Sequence, residues 1–152
     1  MSTYTQFLYQ IVFGTYDYTP FLNTENENIL FSYISGILKN KSCHSYIVGG
    51  ASNNIHIITH IHIHPTIAPA FLVKDIKLTS HKMIIDNGKL FSHFPKWQIG
   101  YSGFTYHISS KERLIRYVEN QRVHHEMVSF KDELKELLNE HFVAYDEDYL
   151  IT

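Results

Sequence analysis

The sequence of 152 residues is poor in three things: it has one cysteine, no long apolar run and no excess of basic residues. Because Cys43 has no second cysteine to pair with, an internal disulfide framework is excluded and nothing favours secretion. No apolar run approaches the roughly 20 residues that a membrane helix needs, and residues 1–9 are polar and aromatic, unlike a signal peptide. We therefore expect a cytoplasmic protein without a membrane partner.

The charge balance counts mildly against a nucleic-acid partner. Thirteen Lys and Arg residues against fifteen Asp and Glu residues give a net charge of −2, whereas dedicated DNA binders usually carry a basic excess that neutralises phosphates. A chain of this charge can still bind DNA if its positive residues gather on one face. The length and the hydrophobic content of 44% predict one globular domain over residues 1–152.

Histidine and tyrosine, by contrast, are abundant, with 11 residues of each. Histidine ligates metals and contacts phosphates. Tyrosine can act as a nucleophile or as a surface on which bases stack. Compositional drift would explain the same numbers, so the placement of these residues has to decide between the two explanations.

Hydrophobic periodicity and turn residues predict the element order β-α-β-β-α-β-α-α. The predicted strands cover residues 6–16, 45–49, 54–63 and 101–107, and the predicted helices open near Thr24, Thr66, Ser109 and Ser129. Two of these helix starts have the pattern of a capping box, Thr24 with Glu27 and Ser109 with Glu112. This order predicts an α+β fold of the ferredoxin-like, split βαβ type, with an antiparallel sheet covered by helices mainly on one face.

The third predicted strand alternates between aliphatic residues and histidines. Because side chains in a strand point to opposite faces with a period of two, one face carries isoleucines suited to a core. The other face carries Asn54, His56, Ile58, His60, His62 and His64. Histidines ~7 Å apart along one face can meet at a single ion. The strand therefore predicts a metal or phosphate site, against the simpler interpretation of a solvated strand face.

A second pattern lies on the helix that opens at Ser109, where Tyr117 and Gln121 are four residues apart. This spacing places both on one helix face, with Cβ atoms about 5–6 Å apart. Leu114 and Val118 occupy a neighbouring stripe that would pack on the sheet, so the pair would lie at the edge of that contact, over the histidine strand. Taken alone, such a pair is usually a half-buried tyrosine beside a polar neighbour.

Ordered motifs over nearly the whole chain resemble the single-tyrosine HUH transposases, including their REP-associated branch. The motifs are Gly49-Gly50, His64-Pro-Thr-Ile-Ala68, Leu72-Val-Lys-Asp-Ile-Lys77, Trp97-Gln98 with Gly100-Tyr101 and Phe104, Tyr117-Val-Glu-Asn-Gln121 with His124-His125, Ser129-Phe-Lys-Asp-Glu-Leu134, and Tyr145-Asp-Glu-Asp-Tyr-Leu150. No one motif is decisive, but the ordered set is specific.

The resemblance implies a DNA transposase that works as a homodimer and cuts and rejoins single-stranded or hairpin DNA. Tyr117 would be the nucleophile and would form a 5′-phosphotyrosine. The resemblance also implies a Mg²⁺ or Mn²⁺ ion, held by two histidines of a His-hydrophobic-His motif and by Gln121, that polarises the scissile phosphodiester. Because the bond energy is kept in the covalent intermediate, no nucleotide cofactor is needed.

One departure from the family pattern concerns the metal motif, which falls on Asn54-Ile55-His56, with asparagine where the first histidine belongs. We favour an ion held by His56 and Gln121, with Asn54 contributing its amide oxygen as a weaker ligand. A shift by two residues preserves the strand face and would instead give the ligand role to His60 and His62, or to His62 and His64. In a third interpretation the site is weakened, and the protein binds DNA without cutting it well.

The predicted second helix carries Lys74, Lys77 and Lys82, which could form a local basic surface for DNA. An ordinary solvated helix face is the equal alternative. The leading hypothesis is therefore a single-strand DNA transposase acting through Tyr117. Its rivals are a DNA-binding relative that has lost catalysis through Asn54, and a histidine-strand metal-binding protein unrelated to DNA.

Overall fold

The structure, a computed structural model, describes residue 2 and residues 4–60 and 68–150, with residues 58–60 described by their backbone alone. The strands of this part of the chain are β1 (Leu8–Gly14), β2 (His44–Ala51), β3 (Asn54–His60) and β4 (Ser102–Tyr106). Its α-helices are α1 (Glu27–Asn40), α2 (Pro69–Asp86), α3 (Lys111–Glu119), α4 (Gln121–His124) and α5 (Phe130–Glu140).

The four strands form one antiparallel sheet in the order β2-β3-β1-β4. β3 lies inside the sheet, and its His56 is paired with Val12 of β1 on one side and with Gly49 of β2 on the other. β1 and β2 are joined through α1 and are separated in the sheet by β3, which is the split βαβ arrangement. The predicted α+β class with an antiparallel sheet is confirmed.

Helices cover both faces of the sheet, whereas the sequence analysis expected them mainly on one. α1 and α2 share a hydrophobic core with Ile11 and Phe13 of β1. On the opposite face, α3 packs with Leu8, and α5 packs with Val12. All four of these β1 residues are buried, because the strand is apolar on both sides and each side has to be covered.

The start of α5 agrees with the prediction, whereas the cap of α1 differs from it. α5 begins where it was predicted to, and Ser129 caps it, since its hydroxyl accepts the Asp132 N–H at 3.2 Å. At α1 the cap lies one residue before the predicted box. The side chains of Asn23 and Asn26 accept each other's backbone N–H at 3.0 and 2.8 Å, so this pair takes the part expected of Thr24 and Glu27.

The helix predicted from Ser109 to about residue 122 is divided in the structure. A short 3₁₀ turn, Ile108–Ser110, comes first, and its cap is His107, whose ring accepts the Ser109 N–H at 3.1 Å. The predicted capping box at Ser109 is therefore absent. α3 then ends at Glu119, and Asn120 separates it from α4, which begins with Gln121.

A glycine on β2 allows α3 to lie close to the sheet. A Cβ atom at Gly49 would come within 2.7 Å of Cγ1 of Val118. Because real Cβ atoms are essentially never found at such distances, any larger residue would force the Val118 side chain to shift. This close approach brings the end of α3 and the start of α4 over β3, where Asn54 and His56 lie.

Candidate functional site

Four residues singled out from the sequence meet between β3 and the helices α3 and α4. Asn54 and His56 point from β3 toward these helices and are completely buried, as is Gln121 at the start of α4. The Asn54 side chain donates a hydrogen bond of 3.3 Å from Nδ2 to Oε1 of Gln121. The half-buried Tyr117 stands with its ring edge-on to His56, the two ring centres being 5.8 Å apart.

The centre of this cluster is a carboxylate that the sequence analysis did not identify as a functional residue. Glu133 of α5 is only 1% exposed. Its Oε1 accepts hydrogen bonds from Nε2 of His56 and Nε2 of His125, each at 3.1 Å. Its Oε2 accepts one of 2.8 Å from Nε2 of Gln121 and another from the hydroxyl of Tyr117. Glu133 therefore joins the predicted nucleophile to two of the predicted metal ligands.

A sequence signal for Glu133 existed in the helical period. Phe130, Leu134 and Leu137 form the buried side of α5, and position 133 lies three residues after the first and four before the last of these. An acidic residue on an apolar stripe is seldom buried without partners. The position of Glu133 on this apolar side therefore predicts a buried polar cluster around its carboxylate.

The electrostatics of the pair favour a neutral tyrosine beside an ionised carboxylate. Burial raises the pKa of Glu133, but the hydrogen bonds from His125 and His56 outweigh it and hold the pKa well below its usual range. Burial and the adjacent Glu133 charge raise the pKa of Tyr117 well above its ordinary value. In the described arrangement Tyr117 is thus a hydrogen-bond donor held at Glu133.

The histidine pair at the end of α4, His124 and His125, flanks the same carboxylate. Nε2 of His124 lies 3.3 Å from Oε2 of Glu133, but it is buried without a hydrogen-bond partner. Its ring also tilts against Tyr117, with the ring centres 5.6 Å apart. The motifs His124-His125 and Ser129–Leu134 carried no assigned role in the sequence, and both converge on this centre.

A hydrogen-bonded chain of the buried Gln10 and the half-buried Tyr106 and His141 supports His56 from behind. The Tyr106 hydroxyl donates to Oε1 of Gln10 at 2.6 Å, and Nε2 of Gln10 lies 3.2 Å from Nδ1 of His56. His141 completes the chain, with Nε2 3.1 Å from the Tyr106 hydroxyl. An ionised carboxylate only accepts hydrogen bonds, so the His56 nitrogen that faces Glu133 carries the hydrogen and Nδ1 accepts from Gln10. Burial raises the pKa of Tyr106 to about 12.

The arrangement of donors does not fit a divalent cation at the predicted ligands. A cation needs lone pairs, yet Gln121 turns its NH₂ group and His56 turns an N–H toward the centre. Asn54 Oδ1 is directed away, because it accepts the Ala51 N–H at 3.1 Å. Within the described part of the chain, no three His, Cys, Asp or Glu side chains are grouped so that they could hold a metal ion.

A cavity of about 170 Å³ opens beside the Tyr117 hydroxyl. Its wall includes Tyr106, Tyr117, His124 and Glu133. Arg113 adds one positive charge to this wall, and Glu136 and Glu140 add two negative charges. The cavity gives the buried centre a route to solvent on the side of α3 and α5.

The other predicted site residues lie apart from this centre. Lys74 and Lys82 are exposed on α2, whereas the Lys77 ammonium donates to the carbonyls of residues 98, 99 and 100 at 2.8, 3.3 and 2.5 Å. Burial lowers the pKa of Lys77 to about 8. In the alternative ligand register, His60 has only its backbone described, and His62 and His64 lie outside the described residues.

Comparison with known proteins identifies the family. A sequence model with the description "Transposase IS200 like" matches residues 3–121 of the chain. The chain belongs to the IS200-like transposase family. The segment after Gln121, which includes α5 and Glu133, lies outside the matched residues. No curated protein matches this IS200-like transposase.

A solved structure supports the fold of the transposase. The crystal structure of a "putative transposase" from Deinococcus radiodurans R1 superimposes with a TM-score of 0.61. The match covers 80% of this chain and 95% of that chain at 16% sequence identity. Among the helices described, none is both long enough and apolar enough to cross a membrane.

Proposed function

We propose that this transposase cuts and rejoins single-stranded or hairpin DNA, with Tyr117 as the nucleophile. The proposal is carried by the position of the Tyr117 hydroxyl, which lies among His56, Gln121 and Glu133 and borders the cavity of the site. Family membership supports a transposase. Among the tyrosines of the described residues, Tyr117 is the one whose hydroxyl contacts this polar centre directly.

The chemistry is a transesterification at phosphorus. The Tyr117 oxygen forms a bond to the scissile phosphorus, and the bond from phosphorus to the 3′ oxygen breaks. The phenolic proton is lost from Tyr117, and the departing oxygen takes up a proton, so that a 5′-phosphotyrosine and a free 3′-OH remain. Rejoining is the reverse step with another 3′-OH. Since the described donors do not fit a cation, no part of this step is assigned to a metal.

Before attack, the Tyr117 hydroxyl must exchange its hydrogen bond with Glu133 for contact with DNA. Glu133 is acceptor-only and fully buried, so it holds Tyr117 in place but does not present it to solvent. Tyr106, Arg113 and His124 line the cavity, so they are the hydrogen-bond donors that an incoming phosphate oxygen would meet before it reached the buried Gln121 amide.

We further propose that DNA also contacts Lys74 and Lys82, which lie on α2 across the sheet from Tyr117, and that the protein acts as a homodimer. Both lysine side chains are exposed on α2, so solvent-facing ammonium groups are available to contact DNA phosphates. Lys77 is a weaker candidate because its ammonium is engaged with the backbone of residues 98–100.

The test is a covalent-adduct assay. Purified protein is mixed with labelled single-stranded oligonucleotides drawn from both flanks of its gene, with Mn²⁺ or with EDTA, and separated on a denaturing gel. We expect a labelled protein band that Tyr117→Phe abolishes. Tyr33→Phe is the matched control, because it removes a hydroxyl that is exposed on α1, across the sheet from the site, and should leave the adduct.

A second candidate function is a DNA-binding relative that no longer cuts. The observation that favours it is Tyr117 itself, held by Glu133 and with a raised pKa, next to the substituted motif position Asn54. Retention of the oligonucleotides in a native gel without any covalent band, with every flank sequence tried, would support this candidate over the first.

A further inference from the structure

The hydrogen-bond polarity of the site starts from one backbone group. Ala51 and Asn54 are paired at the end of the β2–β3 hairpin, and the Ala51 N–H donates to Oδ1 of Asn54 at 3.1 Å. A backbone N–H can only donate. The Asn54 amide is therefore oriented with its oxygen toward Ala51 and its NH₂ group toward Gln121.

The orientation of Gln121 follows from that of Asn54. The Asn54 NH₂ group needs an acceptor, and it finds Oε1 of Gln121 at 3.3 Å. The NH₂ group of Gln121 is then turned to the other side, where it donates to Oε2 of Glu133 at 2.8 Å. Both amides are completely buried, so reversing either of them would set two donors against each other with no water to separate them.

The same polarity holds around the whole carboxylate. His56, His125, Gln121 and Tyr117 all direct hydrogens at the two oxygens of Glu133. Four donors around one point are complementary to an anion and repel a cation. A buried carboxylate that accepts several such bonds is held in its ionised form.

We propose that Asn54 makes this centre a site for an anionic oxygen group in place of a divalent cation, and that Glu133 is its built-in ligand. Asn54 acts as a positioning residue, because it turns the NH₂ group of Gln121 toward the centre. The inference concerns ion binding only, and it stands whether or not Tyr117 cuts DNA.

Asn54→Asp tests the proposal with almost no change in shape. One carboxylate oxygen keeps the Ala51 hydrogen bond, while the other accepts from Nε2 of Gln121 and so turns Oε1 of Gln121 toward Glu133. An amide oxygen and two carboxylates then lie in one buried place, which is a donor set that hard cations favour. The wild-type protein and this variant are titrated with Mn²⁺ alone, without DNA, by calorimetry and by paramagnetic broadening of side-chain NMR signals.

We expect no saturable Mn²⁺ binding at the centre of the wild-type protein, with the Gln121 NH₂ and His56 signals unbroadened. Asn54→Asp should bind Mn²⁺ saturably and at least about tenfold more tightly than Asn120→Asp does. In Asn54→Asp the Gln121 and His56 signals should broaden. Asn120→Asp is the matched control, since it adds the same charge at an exposed position next to Gln121 and should gain nothing.

Two results would overturn the proposal. One is wild-type binding of Mn²⁺ with broadening of His56 and Gln121, a measurement that does not depend on any variant folding. The other is a folded Asn54→Asp protein that binds Mn²⁺ no better than Asn120→Asp. Since no DNA is present, neither result bears on whether Tyr117 forms an adduct, which is decided separately by the gel assay.

Discussion

The hydroxyl of Tyr117 donates a hydrogen bond to the buried carboxylate of Glu133. This contact joins α3, where the resemblance to the transposases places the nucleophile, to α5, which lies beyond the residues that the family model matches. The site therefore includes a part of the chain that the family model does not match, and the first predictions concern Glu133.

Replacing Glu133 should destabilise the protein. Glu133→Gln keeps the shape but sets an NH₂ group among donors, which leaves buried groups unsatisfied. We expect a loss of about 2 kcal/mol in the free energy of unfolding at neutral pH, measured by urea denaturation. Glu136→Gln, on the exposed side of the same helix, should change stability by less than about 0.5 kcal/mol. Equal effects of the two changes would contradict the central position of Glu133.

The contribution of Glu133 should also depend on pH. Its pKa in the folded protein is held below the value of 4.5 expected of a free carboxyl. A lowered pKa means that the stabilisation is complete above that value and is lost progressively as the pH falls below it. The difference in unfolding free energy between wild type and Glu133→Gln should therefore be constant from pH 7 to 5.5 and should shrink at pH 3.5. A difference that grows on acidification would show that the carboxyl is not ionised in the folded state.

The packing of α3 on the sheet should be sensitive to Gly49. Gly49→Ala places a methyl group against Val118, and we expect a loss of about 1–3 kcal/mol in the free energy of unfolding. Val118→Ala in the same chain should recover part of that loss. Gly36→Ala is the control: nothing lies within 4 Å of its Cβ position, so a gain of about 0.5–1 kcal/mol is expected in the middle of α1. Additive effects at Gly49 and Val118 would argue against the contact.

Two lysines of α2 should behave differently in DNA binding. Lys74→Gln should weaken binding of single-stranded DNA and reduce the slope of log affinity against log salt by about 0.7, the value for one lost phosphate contact on single strands. Lys77→Gln should instead lower the thermal midpoint, because three backbone carbonyls lose their donor. Fluorescence anisotropy over a salt series and a melting curve measure the two effects. If Lys77→Gln weakened DNA binding and Lys74→Gln did not, Lys77 and not Lys74 would be the residue that contacts DNA.

Much of the fold and part of the site followed from local patterns. The order of strands and helices was read from periodicity, and Asn54 and His56 were placed on one strand face because a strand repeats every two residues. The four-residue spacing of Tyr117 and Gln121 likewise predicts that both lie over β3, although the structure divides the predicted helix between them. These are short-range relations that neighbouring residues impose on one another.

Other features came only from contacts between distant parts of the chain. Glu133 is 77 residues from His56 along the chain, and its role became visible only when α5 was packed against the second face of the sheet. The hydrophobic pattern predicts α5 and its apolar side, but it does not predict which polar side chains from other elements contact that side. Likewise, Asn54 was recognised as a departure from the family motif, while its effect, the turning of the Gln121 amide, required the Ala51 N–H beside it. Periodicity sets the face on which a side chain lies, whereas the direction of a hydrogen bond depends on every partner that packing brings within reach.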